Sequence, residues 1–127
     1  MSPTRMSKIE SATRSVLALQ TAFNRRDLDV VASLLDKECL FETASPPPDG
    51  KPIKGRDAII RVLQERFEQT ADLRMEIEEI FGMGQRCILR TRLTWTDAAR
   101  KANHLRDVEI FKVMDGLITE IFSYVKG

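Results

Sequence analysis

The 127 residues, 43% hydrophobic and 31% charged, have the length of a single domain, residues 1–127, and the make-up of an ordinary soluble protein that buries a core without staples. The 20 basic and 19 acidic side chains leave a net charge of +1, and one Trp and one Tyr offer little stacking surface. That balance excludes the electrostatic footprint of a nucleic-acid binder or of a protein drawn to an anionic membrane, so neither partner is expected.

The start, Met1-Ser2-Pro3-Thr4-Arg5, has no apolar run of the signal-peptide kind, and residues 1–6 read as frayed. Ser7-Lys8-Ile9-Glu10 fits a capping box. Ile9, Ala12, Val16, Leu19 and Phe23 then recur at spacings of three and four, which predicts a helix ending near Asn24. Asp27 is placed to cap a second short helix, Leu28 to Leu35. Cys39 to Thr43 reads as a short strand. Ser45 to Pro52, with three consecutive prolines, reads as a stiff extended loop, either the rim of a cavity or a plain connector. After Gly55, Arg56 to Gln69 predicts a third helix with Ile59, Leu63 and Phe67 inward.

The rest of the chain reads as four strands: Leu73–Phe81, Gln85–Thr96, Leu105–Val113 and Leu117–Val125. Asp115-Gly116 between the last two is a strong hairpin signal. No apolar run is long enough to span a membrane. Cys39 and Cys87 lie in strand-like runs without CxxC or CxxH spacing, so they read as buried reduced thiols, with a cytoplasmic compartment as the expectation. A single His and no Cys cluster argue against a metal site, and no cofactor motif is present. The order ααβαββββ predicts an α+β domain, its helices packed on one face of a mostly antiparallel sheet.

Strand pairing assigns side chains to faces. A turn centred on Met83 sets Ile77 near Leu89 and Glu76 near Arg90. A turn across Asp115-Gly116 sets Val113 near Ile118, Glu109 near Phe122 and Asp107 near Tyr124. Trp95 opposite Leu105 sets Thr91 beside Glu109. In this register Asp107, Glu109 and Glu120 lie on the apolar inner face, together with Phe122 and Tyr124. The outer face pairs Arg74, Arg90 and Arg92 with Glu76 and Glu78, yet also carries Val108, Ile110, Ile121 and Val125. A solvated face is more polar than that, so a second copy is expected to cover it in a two-fold homodimer. A one-residue slip would exchange the faces.

Three stretches carry a family resemblance. Ala22-Phe23-Asn24-Arg25-Arg26-Asp27-Leu28-Asp29 with the strand Leu40-Phe41-Glu42, the helix start Gly55-Arg56-Asp57-Ala58-Ile59, and the closing hairpin Val108 to Gly127 together resemble NTF2-like proteins of the SnoaL and ketosteroid isomerase type. The resemblance spans nearly the whole chain from about Ser7. It implies a cone-shaped fold with a strongly curved sheet, an apolar pocket between sheet and helices, and commonly a homodimer. Ketosteroid isomerases use an Asp base and an oxyanion hole of a Tyr and a protonated acid. Carried over, the Tyr falls at Leu19, the base at Thr43 and the acid at Glu109, so only the last role is kept. Fold alone does not transfer an activity.

The residues leave several chemical readings open. Glu109 among apolar neighbours has a raised pKa, suited to acid–base work or to a ligand contact, or else it is satisfied by Thr91, Tyr124 or water. Asp107, on the same face, is its partner or a rim carboxylate. Tyr124 is a site phenol or a structural one. His104 has the opposite parity and reaches inward only through a bulge. Phe23, Phe41, Phe67, Trp95 and Phe122, with Leu19, Thr43 and Thr91, are expected to line the pocket. The resulting expectation is a small-molecule-binding protein, either a cofactor-independent isomerase, cyclase, dehydratase or hydrolase working through Glu109, or a non-catalytic ligand-binding or dimerisation module.

Overall fold

The computed structural model describes residues 3–126, with side chains from residue 11 to residue 126. Of the opening expected to be frayed, Met1 and Ser2 lie outside the described residues, as do the side-chain bonds of the capping box expected at Ser7 and Glu10. Among the described residues there are three helices, α1 (Pro3–Asn24), α2 (Leu28–Leu34) and α3 (Arg56–Gln69). There are six strands: β1 (Leu35–Glu42), β2 (Pro52–Lys54), β3 (Arg74–Met83), β4 (Arg86–Thr96), β5 (Ala102–Met114) and β6 (Leu117–Val125). They form one curved sheet in the order β2-β1-β6-β5-β4-β3, antiparallel except where β1 runs parallel to β6. The α+β architecture has the expected order. The addition is β2, which the proline-rich approach to Pro52 hides from a pattern reading. It pairs with the edge of β1, Phe41 opposite Ile53.

From Ala12 onward the apolar stripe of α1 is buried as its spacing predicts, with Val16 and Leu19 among the core residues. The helix ends in a Schellman arrangement: Asp27 N–H donates to Ala22 C=O at 2.9 Å and Arg26 N–H to Phe23 C=O at 3.1 Å. The left-handed residue of that motif is Arg26, φ 60°, where glycine is usual. Its side chain offsets the strain. The guanidinium sits 4.4 Å over the Phe67 ring and donates to the carbonyls of Phe23, Ala71 and Leu73. Asn24 fastens the same corner by exchanging two 2.8 Å bonds with the backbone of Met75. Asp27 caps α2 by accepting from Val30 N–H. Leu35 is already extended, so β1 leaves the helix with no loop between.

The core lies between the helices and the concave sheet face, where Val16, Val31, Ile59, Leu89, Phe111 and Ile118 are almost fully buried. Among the described residues no helix is long and apolar enough to cross a membrane.

Sheet register departs from expectation in three places. The β3–β4 turn is centred between Gly84 and Gln85 rather than on Met83, and the ladder is bulged between Ile77 and Glu79. Glu76 therefore pairs with Arg92, Ile77 with Thr91 and Ile80 with Leu89. The outer-face ion pairs change accordingly, to Arg90 with Glu79 (3.8 Å), Arg106 with Glu78 (3.2 Å) and Arg86 with Glu120 (2.9 Å). Between β4 and β5 the shift is two residues, Leu93 opposite Leu105, so the faces are preserved. Between β5 and β6 the expected Val113–Ile118 pair holds, but a bulge between Lys112 and Val113 slips the rest by one. Glu109 then faces Ser123 and Asp107 faces Val125. Ile121, Ser123 and Val125 turn inward; Glu120, Phe122 and Tyr124 turn outward.

Candidate active site

A cavity of about 330 Å³ opens between α1, α3 and the concave face of the sheet. That is room for a small organic molecule, at the low end of ligand pockets. Its wall is mostly apolar, with Leu19 and Phe23 from α1, Leu63 from α3, and Phe41, Trp95 and Ile121 from the sheet. Polar groups enter from four elements: Gln20 on α1, Arg66 on α3, Asp107 and Glu109 on β5, and Ser123 on β6.

The two carboxyls share a face because they are two residues apart on one strand. Only 9% of Asp107 and 8% of Glu109 is exposed. Thr91 Oγ1, wholly buried, donates a hydrogen bond to Asp107 Oδ1. Ser123 Oγ donates to Glu109 Oε2 at 3.2 Å, while Glu109 Oε1 has no hydrogen-bond partner among the described residues. Burial pushes the Glu109 carboxyl up to about 8; the Asp107 charge adds to the rise, and Ser123 and Arg66 oppose it. Burial raises Asp107 as well, against its bond from Thr91 and the field of Arg66. Near neutral pH Glu109 is therefore suited to holding a proton beside a second carboxyl.

Arg66 completes the polar set. It lies 5.6 Å over the Phe41 ring and close enough to both carboxyls for each to stabilise its charge, without forming an ion pair among the described residues. Gln20 is 4% exposed, and its Oε1 also lacks a partner among the described residues.

The SnoaL-like domain model matches residues 16–121. The chain belongs to the SnoaL-like domain family. Solved structures agree on an NTF2-like fold. An NTF2-like protein of unknown function from Mesorhizobium loti is 28% identical, with a TM-score of 0.80 over 94% of both chains. A candidate ketosteroid isomerase from Kribbella flavida is 20% identical, with a TM-score of 0.82 over 96% of this chain and 82% of the other. An LEH-like epoxide hydrolase of M. tuberculosis is 19% identical, with a TM-score of 0.80 over 93% of this chain and 84% of the other. Comparison with curated proteins gives no match.

Within this SnoaL-like fold the expected site residues divide. Glu109, Asp107, Leu19, Phe23, Phe41 and Trp95 line the cavity. Thr91 stands behind the wall, bonded to Asp107. Phe67 packs edge-on against Phe23 at 5.0 Å, beneath Arg26, and does not reach the cavity. Thr43, at the position the resemblance assigns to a base, is buried and tied into the proline loop. Its Oγ1 donates to Ser45 C=O and accepts from Lys51 N–H. The slip on β6 carries Phe122 and Tyr124 to the outer face, Phe122 under Arg86 and Tyr124 56% exposed. His104 pairs with Thr94 on that same face and is exposed, as its parity predicts without a bulge.

Three polar residues escape the pattern reading: Arg66, Gln20 and Ser123. Arg66 carries a legible signal, since it falls seven residues after Ile59 and three after Leu63 on the inward stripe of α3. Ser123 depends on the bulge, which has no signal of its own. Gln20 sits beside the apolar stripe of α1, where a polar residue usually reads as the start of the wet face.

Proposed function

We propose that this SnoaL-like protein is a cofactor-independent proton-transfer enzyme acting on a small, largely apolar molecule, with Glu109 as general acid and Asp107 as the paired base. The observation that carries this reading is Glu109 Oε1, a buried oxygen on the cavity wall with no hydrogen-bond partner among the described residues, two residues from a second buried carboxyl. A protonated Glu109 gives its proton to a carbonyl, hydroxyl or epoxide oxygen as negative charge develops there. Asp107, whose charged form Thr91 and Arg66 favour against the burial that raises it, takes a proton from a carbon acid or from water. These two transfers serve isomerisation, cyclisation, dehydration or hydrolysis. Proteins with this fold include a candidate ketosteroid isomerase, an epoxide hydrolase and a candidate SnoaL-like polyketide cyclase, which supports that range of chemistries.

The test is a turnover screen with keto, hydroxy and epoxide compounds, followed by Glu109→Gln on any substrate found. Loss of about 10²–10⁴ in kcat/KM is expected. The pH profile of kcat/KM is expected to be bell-shaped, falling above about 8 as Glu109 loses its proton. Undiminished turnover in the variant would refute the assignment. A second reading, a non-catalytic ligand-binding module, is favoured by the tying of Thr43 into the proline loop. It predicts ligand binding that Glu109→Gln alters, without turnover of any compound screened.

The chain reads as one domain. Cys39 and Cys87, both free and buried, with thiols pushed up to about 12 and about 11 by desolvation, fit a reducing cytoplasmic setting. The apolar outer sheet face fits a homodimer through that face.

A further inference from the structure

We propose that Arg66 is the anion-recognition residue of the cavity, and that the physiological ligand is an apolar carboxylic acid whose carboxylate is held by this guanidinium. The inference rests on the cavity being the ligand site, as proposed above, and adds the chemical class of what enters it. Three observations point the same way. Arg66 lines the cavity, its guanidinium 5.6 Å from the centre of the Phe41 ring. No ion pair and no side-chain hydrogen bond engages its guanidinium among the described residues, although two carboxyls lie within its field. The remaining wall is dominated by Leu, Ile, Phe and Trp side chains, which suit an apolar body rather than a sugar or a nucleotide.

An arginine on the buried stripe of a helix gives up part of its hydration, a loss that a paired carboxylate offsets with two parallel N–H···O bonds. Neither Asp107 nor Glu109 supplies that pairing. The charge balance also admits an anion. With Glu109 protonated near neutral pH, the titratable groups on the wall are one cation, Arg66, and at most one anion, Asp107. The other polar side chains at the cavity or beside Glu109, namely Gln20 on α1, Ser45 after β1, Gln69 and Thr70 at the end of α3, Thr91 on β4 and Ser123 on β6, are neutral.

The experiment is calorimetric titration of the full chain with two probes of nearly equal shape, naphthoate and its neutral counterpart naphthamide. Wild type is expected to bind naphthoate about tenfold or more tightly at neutral pH. Arg66→Gln should abolish that preference, naphthoate binding no tighter than naphthamide, and Arg66→Lys should keep only part of it, because the bidentate geometry is lost. The preference should also shrink above about pH 8, where Glu109 becomes a second anion, and Glu109→Gln should remove that decline. Equal binding of the two probes by wild type would overturn the role of Arg66 and leave the cavity as the ligand site. A naphthoate preference that survives in Arg66→Gln would likewise overturn it. Binding of neither probe would overturn both the carboxylate proposal and the cavity as an apolar ligand site. Failure of the proton-transfer reading is seen separately, in the turnover of Glu109→Gln. The wild-type comparison of probes needs no variant to fold.

Discussion

Glu109 links chemistry to stability. Its proton is held to about 8 in the folded chain against an ordinary value of 4.5, so between those limits the native state binds a proton that the unfolded chain has released. Stability therefore falls as pH rises through this window, and the contribution of the neutral carboxyl, complete below the unfolded value, is gone above the folded one. Asp107, also raised, adds a decline of the same sign that begins lower. Glu109→Gln keeps the shape and removes the charge. Urea unfolding across the window is expected to show the wild type losing stability toward about pH 8, with the variant losing clearly less and overtaking it at the alkaline end. Parallel curves would mean that Glu109 titrates normally and would remove the basis for its role as an acid. Glu109 is legible in the sequence from strand parity alone, an acid alternating with apolar residues. Arg66 is equally legible from helical spacing, but a long basic side chain on an inward stripe is easily read as snorkelling to water.

Two glycines show how differently the same residue type acts at the level of elements. Gly50 (φ 68°) brings the proline-rich loop so close to the end of β1 that an added Cβ would stand 1.7 Å from the Thr43 carbonyl oxygen. Gly116 (φ 79°), in the β5–β6 turn, has nothing within 4 Å of that position. Substitution at either incurs the left-handed strain, about 1–2 kcal/mol, but only Gly50 must also displace backbone. Gly50→Ala is thus expected to destabilise by about 3 kcal/mol or more and to disturb the cavity rim at Ala44 and Ser45, with Gly116→Ala clearly milder. Thermal melts of the two variants check the order, and equal shifts would show that the loop yields freely. The Asp115-Gly116 turn is readable in the sequence, and with it the existence of β5 and β6. The orientation of β6 is not. One bulge between Lys112 and Val113 exchanges the faces of β6, taking Phe122 and Tyr124 out of the site and bringing Ser123 in. Local pattern fixes where a strand is; the extra residue that bends it answers to sheet curvature, a property of the assembled sheet. The two-residue offset between β4 and β5 leaves every face intact, which is why Asp107, Glu109 and Trp95 are placed correctly in spite of it.

At the scale of the molecule the sheet has two covered-looking faces and only one set of helices. On the convex side Ile88, Val108, Ile110 and Phe122 are half-buried within one chain, and Tyr124 and Phe81 are more than half exposed. Around them stand cations and anions in near balance, several already paired with each other, as Arg106 is with Glu78 and Arg86 with Glu120. A face of that kind, apolar in the middle and neutral at the rim, does not suit a polyanion, but it does suit its own copy turned by a two-fold axis. Covering it would bury Tyr124, which otherwise exposes an aromatic ring for no intramolecular gain. The expected result is sedimentation at twice the chain mass at micromolar concentration. Ile110→Lys places a charge at the centre of the apolar patch, points away from the cavity, and is expected to shift the protein to monomer while far-UV circular dichroism stays unchanged. A wild type that sediments as a monomer throughout that range would refute the homodimer.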